Sequence, residues 1–208
     1  MDIAKIAALV VASYLVGSLP FAYWLCLWCR GVDIRTIGSG NVGATNVLRC
    51  AGPGLAIVVF LLDVAKGTGP ALAGVTLGDA TLGLAAGAGA IIGHSFSPFI
   101  GFKGGKGVAT TLGVLTGISP ITAGVAFGVW IVLVALFRYV SVASLLASLF
   151  AVGMVVVRRE PTPVEVVFGL MYLLIIYRHR SNIARLMKGE EPKIRLRKPE
   201  DEGKPKDT

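Results

Sequence analysis

Long apolar stretches alternate with short polar segments along most of the chain. A helix needs about 20 mostly apolar residues to cross the hydrocarbon core of a bilayer. On that length scale, the pattern predicts seven membrane-spanning helices at 3–28, 54–77, 82–100, 107–118, 120–136, 140–157 and 164–187. The fourth stretch is short and ends near Ser119-Pro120, where proline interrupts the helical hydrogen-bond ladder. The fourth and fifth stretches therefore form either two spans or one kinked helix, which decides between seven spans and six.

The composition supports a chain that is surrounded by lipid. Hydrophobic residues make up 54% of the 208 residues, and charged residues make up 15%, against about 25% in soluble domains. So few charged side chains cannot cover the surface of a soluble globule of this size. The N-terminal apolar stretch exceeds the roughly 7–15-residue core of a signal peptide, so we interpret it as a retained first span. The predicted fold class is an all-α, polytopic integral membrane protein.

The placement of lysine and arginine predicts the orientation. Cytoplasmic loops of membrane proteins carry an excess of these residues. With seven spans, one side receives 29–53, 101–106, 137–139 and the C-terminal tail, and sixteen of the 20 basic residues lie there or at adjoining helix ends. The N-terminus should therefore be outside and the C-terminus cytoplasmic, whereas six spans would divide the charges less cleanly. We expect a membrane-embedded domain at 1–189 and a polar, disordered cytoplasmic tail at 190–208.

The first polar loop reads GSGNVGATN at 38–46 and is followed by Arg49. Three glycines within six residues let backbone N–H groups turn toward one point, and such nests bind anions. Ser39, Asn41 and Asn46 add neutral donors, and Arg49 adds a planar fork that suits phosphate oxygens. A flexible linker is the alternative, but a linker would favour serine and glycine repetition. The loop therefore predicts an anion site.

The second polar segment reads FKGGKG at 102–107 and opens the helix that starts at Val108. Glycines and lysines at a helix N-terminus favour anion binding, through free N–H groups and the helix dipole. The segment does not match the P-loop pattern, so nucleotide hydrolysis is not indicated. A basic turn that grips lipid headgroups would explain Lys103 and Lys106 but not the three glycines.

The third polar segment reads RHRSNI at 178–183 and ends the last predicted span. Asn182 follows His179 by three residues, so the two side chains share a helix face. A directed histidine–asparagine pair and a simple interfacial anchor are both consistent with this pattern. Ser141 and Ser144, near the start of the sixth span, are placed either to bind a ligand or to bond their own helix turn.

Three ionisable residues lie inside the second and third predicted spans. Asp63 and Lys66 are three residues apart, and charges within the membrane are a functional hypothesis by default because they are costly to bury. An ion pair that fixes the helix bundle and a contact with substrate are equally compatible with the spacing. His94 is likewise either a packed side chain or a member of a site.

Two further patterns in the apolar stretches have structural interpretations. Gly89 and Gly93 recur at four-residue spacing, which predicts close packing between helices in lipid. Cys26 and Cys29 form a C-x-x-C spacing, but no second pair completes a metal site, so we interpret them as packing residues. We expect neither a metal nor a cofactor. No stretch combines a basic face with stacking aromatics, so nucleic acid is not an expected partner despite the net charge of +8.

In order and spacing, the three polar motifs resemble the signatures of the bacterial acyl-phosphate:glycerol-3-phosphate acyltransferases, the PlsY family. LLDVAKG at 61–67 and the GH pair at 93–94 resemble further features of that family, and the likeness runs from the first span to about Gly189. The resemblance implies an enzyme that moves an acyl group from acyl phosphate to the 1-hydroxyl of sn-glycerol 3-phosphate, as the first step of bacterial phospholipid biosynthesis. The implied products are lysophosphatidic acid and phosphate. It also implies an inner (cytoplasmic) membrane location, seven spans and an active site that faces the cytoplasm.

The same resemblance assigns the site residues. The expected catalytic residues are His179, Asn182, Ser39 and Lys106. The expected substrate-binding residues are Arg49, Asn41, Asn46, Ser144, Lys103, Gly104, Gly105 and Gly107. The catalytic residues, with Arg49 and Ser144, would bind glycerol 3-phosphate, whereas Lys103 and the 104–107 backbone would hold the acyl phosphate or its carbonyl oxygen. Asn41 and Asn46 would either shape the first loop or donate to substrate.

The proton acceptor has two candidates. Acyl phosphate is already activated, so the enzyme needs to place two anions and stabilise developing negative charge rather than form a covalent intermediate. His179 can accept the hydroxyl proton, or the substrate phosphate takes it while His179 positions glycerol 3-phosphate. We favour the second candidate because a basic pocket lowers the pKa of a histidine.

A transporter of a phosphorylated solute is the main alternative, since broken helices that face an anion are common in transporters. Transporter sites usually lie near the midplane, however, and here the polar motifs lie at one edge with no repeat between the halves. The His-x-x-x-x-Asp pattern of other acyltransferases is absent, because Phe99 and Ala184 stand where the aspartate would be. A purely structural membrane protein would leave three polar segments on one side unexplained.

Overall fold

The computed structural model describes residues 2–194, which form ten α-helices and a 3₁₀ turn without any strand. The helices are α1 (Ile3–Gly17), α2 (Phe21–Arg30), α3 (Ala44–Ala51), α4 (Pro53–Leu77), α5 (Ala80–Ser95), α6 (Val108–Ile118), α7 (Pro120–Phe137), α8 (Val140–Val157), α9 (Thr162–Arg178) and α10 (Arg180–Met187). Within these residues the all-α prediction is confirmed. Residues 195–208 of the expected tail lie outside the described part.

Five helical stretches are long and apolar enough to cross a membrane. They are Ile3–Arg30, Pro53–Leu77, Ala80–Ile100, Pro120–Phe137 and Val140–Val157. The first joins α1 and α2 across a break at Pro20, and the third includes the 3₁₀ turn Pro98–Ile100. Large apolar side chains such as Leu136 and Ile121 are 69% and 63% exposed, which suits lipid rather than water. The chain is therefore a multi-pass membrane protein.

The fourth and fifth apolar stretches form two helices, not one kinked helix. Ser119 ends α6 with φ −140° and ψ 79°, and Pro120 begins α7. Proline is favoured at the first helical position because it has no N–H to leave unpaired there. The Ser119 carbonyl then accepts from the Ala123 N–H at 3.0 Å, as the first bond of the new helix.

Small residues let α5 pack closely against its neighbours, as the glycine spacing predicted. A Cβ at Gly93 would overlap the backbone of α1 at Tyr14, and one at Gly89 would lie 2.8 Å from the Val10 carbonyl oxygen. A Cβ at Gly113 of α6 would overlap the Val64 carbonyl of α4 in the same way. These contacts pack α5 closely against α1, and α6 closely against α4.

A separate apolar cluster anchors the first polar loop. Ile34, Val42 and Val47 are buried against α2 and α4, where they contact side chains such as Cys26 and Val59. Burying branched side chains on both sides of the GSGN turn fixes the ends of the loop. The turn itself is left exposed at the surface of the bundle.

Candidate active site

One pocket collects the polar segments that are far apart in the sequence. Near its polar end the lining contains Ser39, Asn41, Arg49, Lys106, Ser141, Ser144, His179, Asn182 and Glu191. The lining continues along α8 as Ala147, Ala151 and Val152, roughly 16 Å of helix beyond Ser141. The apolar part also includes Phe60, Leu112, Leu115, Phe127, Trp130 and Phe168. The pocket thus has a polar end with cationic side chains that suit an anion, and a long apolar wall.

The Asn46 side chain shapes the first loop. It is 1% exposed, and its Nδ2 donates to the Ile34 and Ile37 carbonyls at 3.1 Å each. Its Oδ1 accepts from the Ser39 N–H at 2.9 Å. Both halves of the amide are therefore used within the loop, which leaves Ser39 and Asn41 as the residues of this turn that face the pocket. Of the two roles expected for Asn46, these contacts support loop shaping.

Two helix N-termini border the pocket. α3 starts after Gly43 and α6 after Gly107, and no side chain among the described residues caps either helix. Gly107 has φ +84°, a left-handed conformation that favours glycine. The first N–H groups of a helix lack partners within the helix and attract anions. Gly43 and Gly107 line the pocket together with the residue that follows each.

Lys106 carries its charge into the polar end of the pocket. Its Nζ donates to the Asn182 Oδ1 at 2.5 Å, which joins the second and third motifs directly. Burial lowers the pKa of Lys106 to about 8, the Glu191 carboxylate opposes this shift, and the guanidiniums of Arg185, Arg49 and Arg178 add to it. At neutral pH the Lys106 amine is therefore protonated, and its positive charge is available to a phosphate.

His179 lies just beyond the last residue of α9 and is 3% exposed. Its Nδ1 is 2.8 Å from the Ile175 carbonyl oxygen, which only accepts, so Nδ1 carries the proton. Burial, and next the charge of Lys106, lower the pKa of His179 to about 4. The imidazole is therefore neutral at pH 7, with Nε2 free to accept a hydrogen bond.

Part of the FKGGKG segment does not line the pocket. Lys103 is exposed, and Gly104 and Gly105 lie outside the lining that the described residues form. The Gly104 N–H donates to the Ser95 carbonyl at 3.2 Å, and the Gly105 N–H donates to the His94 carbonyl at 3.0 Å. Their own carbonyls accept from the Arg178 guanidinium. The expectation that this backbone pair binds substrate directly therefore differs from the structure, since its donors are already used.

The ionisable residues of the second and third predicted spans, Asp63, Lys66 and His94, lie together in one cluster. The Lys66 Nζ is 2.8 Å from the Asp63 Oδ1, with both side chains 4% exposed, and it also donates to the Leu19 carbonyl at 2.9 Å. The His94 Nδ1 is 3.6 Å from the same Asp63 oxygen. Asp63 and His94 also border the pocket. The ion pair, one of the two alternatives left open by the sequence, is present, and Asp63 also lines the pocket.

Ser144 marks the transition between the polar and apolar linings. Its Oγ accepts from the Trp130 Nε1 at 3.2 Å, and the residue is 4% exposed. Because the oxygen accepts this bond, the hydroxyl proton remains available to a ligand. Ser141, one turn earlier, donates instead to the Glu191 Oε1 at 2.7 Å.

Glu191 lines the pocket, although it belongs to the tail predicted to start at residue 190. It is 7% exposed, and its Oε1 accepts from the Asn182 Nδ2 at 2.6 Å while its Oε2 accepts from the Arg185 Nε at 2.8 Å. Burial opposes ionisation, but the bonds from Asn182, Ser141 and Arg185 hold the pKa of this carboxyl below its usual value. In the sequence, the feature that could have pointed to Glu191 is the acidic pair Glu190-Glu191, which directly follows Gly189 and lies between basic stretches.

The segment that carries Glu191 is also packed onto the bundle, unlike the disordered tail expected from residue 190. The Ile194 N–H donates to the Arg138 carbonyl at 2.8 Å, and the Arg49 Nη2 donates to the Pro192 carbonyl at 3.2 Å. Residues 190–194 therefore cross the polar end of the pocket between α3 and the start of α8.

Comparison with known proteins identifies the family. The model of the glycerol-3-phosphate acyltransferase family matches residues 7–189. The glycerol-3-phosphate acyltransferase of Desulforudis audaxviator is 43% identical over 204 residues, covering 95% of this chain and 100% of that protein. The enzyme of Brucella anthropi is 45% identical over 195 residues, covering 93% and 95%.

Solved structures agree with the sequence comparison. A crystal structure of PlsY (YgiH), an integral membrane glycerol 3-phosphate acyltransferase in its glycerol 3-phosphate form, superposes with a TM-score of 0.89 at 42% identity, covering 92% of this chain and 96% of that chain. The lysophosphatidic acid form gives a TM-score of 0.86 at 41% identity, with the same coverage. The chain therefore belongs to the glycerol-3-phosphate acyltransferase family, and it is a membrane-embedded acyltransferase of phospholipid biosynthesis rather than a transporter.

Proposed function

We propose that this enzyme transfers an acyl group from acyl phosphate to the 1-hydroxyl of sn-glycerol 3-phosphate, giving 1-acyl-sn-glycerol 3-phosphate and phosphate. The observation that carries the proposal is a single pocket in which cationic groups adjoin a long apolar wall. Such a pocket suits a reaction between a phosphorylated polar acceptor and an acyl donor that is itself a phosphate. The glycerol 3-phosphate and lysophosphatidic acid forms of the structural neighbour support the acceptor and the product.

The phosphate of glycerol 3-phosphate binds among Arg49, Lys106 and Asn182. Arg49 offers a planar guanidinium, and Lys106 offers a point charge whose position is set by its bond to Asn182. Ser39 at the pocket mouth and Ser144 deeper in the lining donate hydroxyl groups to the same substrate. This assignment keeps the acceptor-binding residues expected from the sequence.

The acyl phosphate lies against the N-terminus of α6. The free N–H groups that follow Gly107 take the place of the Gly104 and Gly105 donors, which already bond to α5. The helix dipole stabilises the negative charge that develops on the carbonyl oxygen and on the leaving phosphate. The acyl chain then extends along the wall that contains Leu115, Phe127 and Phe168.

The reaction is a direct displacement. The 1-hydroxyl oxygen bonds to the acyl carbon, the bond from that carbon to the phosphate oxygen breaks, and the hydroxyl proton ends on the released phosphate. His179 positions the acceptor through Nε2, because an imidazole whose pKa is lowered to about 4 is a weak base at neutral pH. Its Nδ1–H remains bonded to Ile175 throughout.

The active site faces the cytoplasm in a bacterial inner membrane that the chain crosses seven times, with the N-terminus outside. The distribution of basic residues supports this orientation, since Arg49, Lys106, Arg178 and Arg185 surround the polar end of the pocket. At that face a water-soluble phosphate ester meets an acyl donor that partitions into the bilayer.

A donor panel tests the proposal. Purified protein in detergent is given glycerol 3-phosphate with palmitoyl phosphate, palmitoyl-CoA or palmitoyl-acyl carrier protein, and both phosphate and lysophosphatidic acid are measured. We expect product with palmitoyl phosphate alone, with one phosphate released per acyl group transferred. Equal use of the thioester donors, or phosphate release that does not depend on glycerol 3-phosphate, would contradict it.

A further inference from the structure

The ionisable cluster of Asp63, Lys66 and His94 lies within the apolar part of the bundle, where charged groups are costly to bury. The Lys66 ammonium is saturated by protein groups. It contacts the Asp63 carboxylate and the Leu19 carbonyl, and it lies 5.6 Å from the centre of the Phe21 ring. Lys66 therefore has no free direction in which to bind a substrate.

His94 connects this cluster to the FKGGKG segment. Its carbonyl accepts from the Gly105 N–H at 3.0 Å, and its ring lies where a Cβ on Gly105 would stand. A Cβ on Gly105 would also lie 2.7 Å from the Val42 carbonyl of the first loop. Gly105 is thus held between the His94 ring and the first loop, with Lys106 as the next residue.

The contact between His94 and Asp63 orients that ring. The Nδ1 to Oδ1 distance of 3.6 Å is longer than a hydrogen bond, but the carboxylate still attracts the ring nitrogen electrostatically. With Nδ1 toward Asp63, Nε2 faces Gly105. Rotating the ring would push against Gly105, whose carbonyl is held by the Arg178 guanidinium.

We propose that Asp63, Lys66 and His94 are positioning residues for acyl transfer: the Asp63–Lys66 pair fixes the His94 ring, and the ring sets the Gly104–Gly105 backbone that places Lys106 and the start of α6. The inference rests on the proposed function, since it assigns Lys106 and the α6 N-terminus to the two phosphates. A purely structural bundle contact would be served equally well by apolar residues of similar size.

Paired substitutions of the ion pair separate positioning from stability. Asp63→Leu with Lys66→Leu removes both charges and the acceptor that faces His94, whereas Asp63→Asn with Lys66→Met removes the charges but keeps an oxygen beside His94. We expect both variants to fold with a Tm at or near the parent value. A misplacement of about 1 Å costs roughly 100-fold, so kcat/KM of the leucine pair should fall about 10- to 100-fold, and the asparagine–methionine pair should recover most of it.

The kinetic pattern distinguishes positioning from general damage. In the leucine pair, KM for both substrates should rise and kcat should fall, because Lys106 and the α6 N-terminus, which hold the two phosphates, are displaced together. Thr68→Val is the matched control, since it removes another polar contact of α4, the 2.9 Å bond to the Gly113 carbonyl. That control should keep parent kinetics.

Each remaining outcome is decisive. Parent-like kcat/KM in a folded leucine pair would overturn the proposal. If that pair does not fold, His94→Phe is assayed in its place, where a tenfold loss in a folded protein supports the proposal and full activity overturns it. If the parent enzyme itself released no phosphate, the donor assignment would fail, and the rise in Tm caused by glycerol 3-phosphate would still report whether the variants bind the acceptor more weakly.

Discussion

Two clusters in this enzyme contain the same kinds of ionisable side chain but connect them differently. The Lys106 cluster comprises Lys106, His179 and Glu191, and the Lys66 cluster comprises Lys66, His94 and Asp63. In the Lys66 cluster the ammonium contacts its carboxylate directly at 2.8 Å. In the Lys106 cluster Asn182 stands between them, bonding Lys106 on one side and Glu191 on the other. A lysine separated from its carboxylate in this way keeps its charge for an anionic ligand.

The two histidines differ in the same sense. The Nδ1 of His179 is tied to a backbone carbonyl of its own helix, which leaves Nε2 free in the pocket lining. The Nδ1 of His94 faces Asp63, and the other side of its ring abuts Gly105. One ring therefore leaves a nitrogen free in the pocket lining, whereas the other lies between a carboxylate and a loop.

The two lysines of the FKGGKG segment give the largest expected difference. Lys106→Gln removes the charge in the pocket lining, and we expect kcat/KM to fall about 1000-fold, near the upper range for loss of one transition-state donor. Lys103→Gln alters an exposed lysine of the same segment and should stay within about twofold of the parent. Phosphate release measures both. Equal losses would mean that the segment acts through its overall charge rather than through the position of Lys106.

Replacing His179 tests whether it positions the acceptor or accepts its proton. His179→Ala should lower kcat/KM about 100-fold at every pH from 5.5 to 8, because the parent imidazole, with its pKa lowered to about 4, is neutral across that range. The shape of the profile should therefore match that of the parent. If the parent profile contains a titration near pH 6–7 that the variant lacks, His179 is the base.

Glu191 should control the alkaline limit of activity. The carboxylate opposes the lowering of the Lys106 pKa, so Glu191→Gln should lower that pKa further below about 8. The active ammonium is lost as pH rises through its pKa, so the falling limb of kcat/KM should move to lower pH in the variant. At pH 7 we expect a loss of about tenfold, within the range for a hydrogen bond to a charged group.

Glu191→Gln keeps part of the hydrogen bonding of the parent side chain. Its remaining oxygen can still accept from Ser141 and Asn182, while the acceptor for Arg185 is lost. A Tm measurement separates unfolding from the shift in the pH profile. A folded variant whose alkaline limb coincides with that of the parent would remove Glu191 from the electrostatics of Lys106.

The contrast between the clusters also explains what the sequence reveals. Asp63 and Lys66 stand out because charges inside an apolar stretch are rare, and their three-residue spacing is compatible with the ion pair that forms, although it is equally compatible with a contact to substrate. Glu191 lies in a polar stretch where an acidic residue carries no hydropathy signal. Its burial depends on residues 190–194 folding back onto α3 and α8, a contact across some 50 to 140 positions of sequence.

The helix boundaries could also be predicted from the sequence, because they depend on residues that are close together in the chain. The break at Ser119-Pro120 and the start of α6 at Val108 follow from proline and glycine chemistry that acts locally. The sequence could not show which glycines of the FKGGKG segment line the pocket, because a glycine that binds a phosphate and a glycine that packs against a histidine ring look alike in sequence. Only the proximity of His94 assigns Gly104 and Gly105 to packing.

The smallest expected effect lies where the Lys106 cluster meets the apolar wall, at Ser144. Ser144→Ala removes a hydroxyl whose proton is free for substrate, and it leaves the Trp130 Nε1 without its acceptor at 3.2 Å. A neutral hydrogen bond is worth about 1 kcal/mol, so kcat/KM should fall roughly fivefold. Trp130→Phe breaks the same internal bond but keeps the hydroxyl, and it should leave kcat/KM within about twofold. If the two variants lose activity equally, the internal bond matters rather than a contact with substrate, and the polar end of the pocket stops short of Ser144.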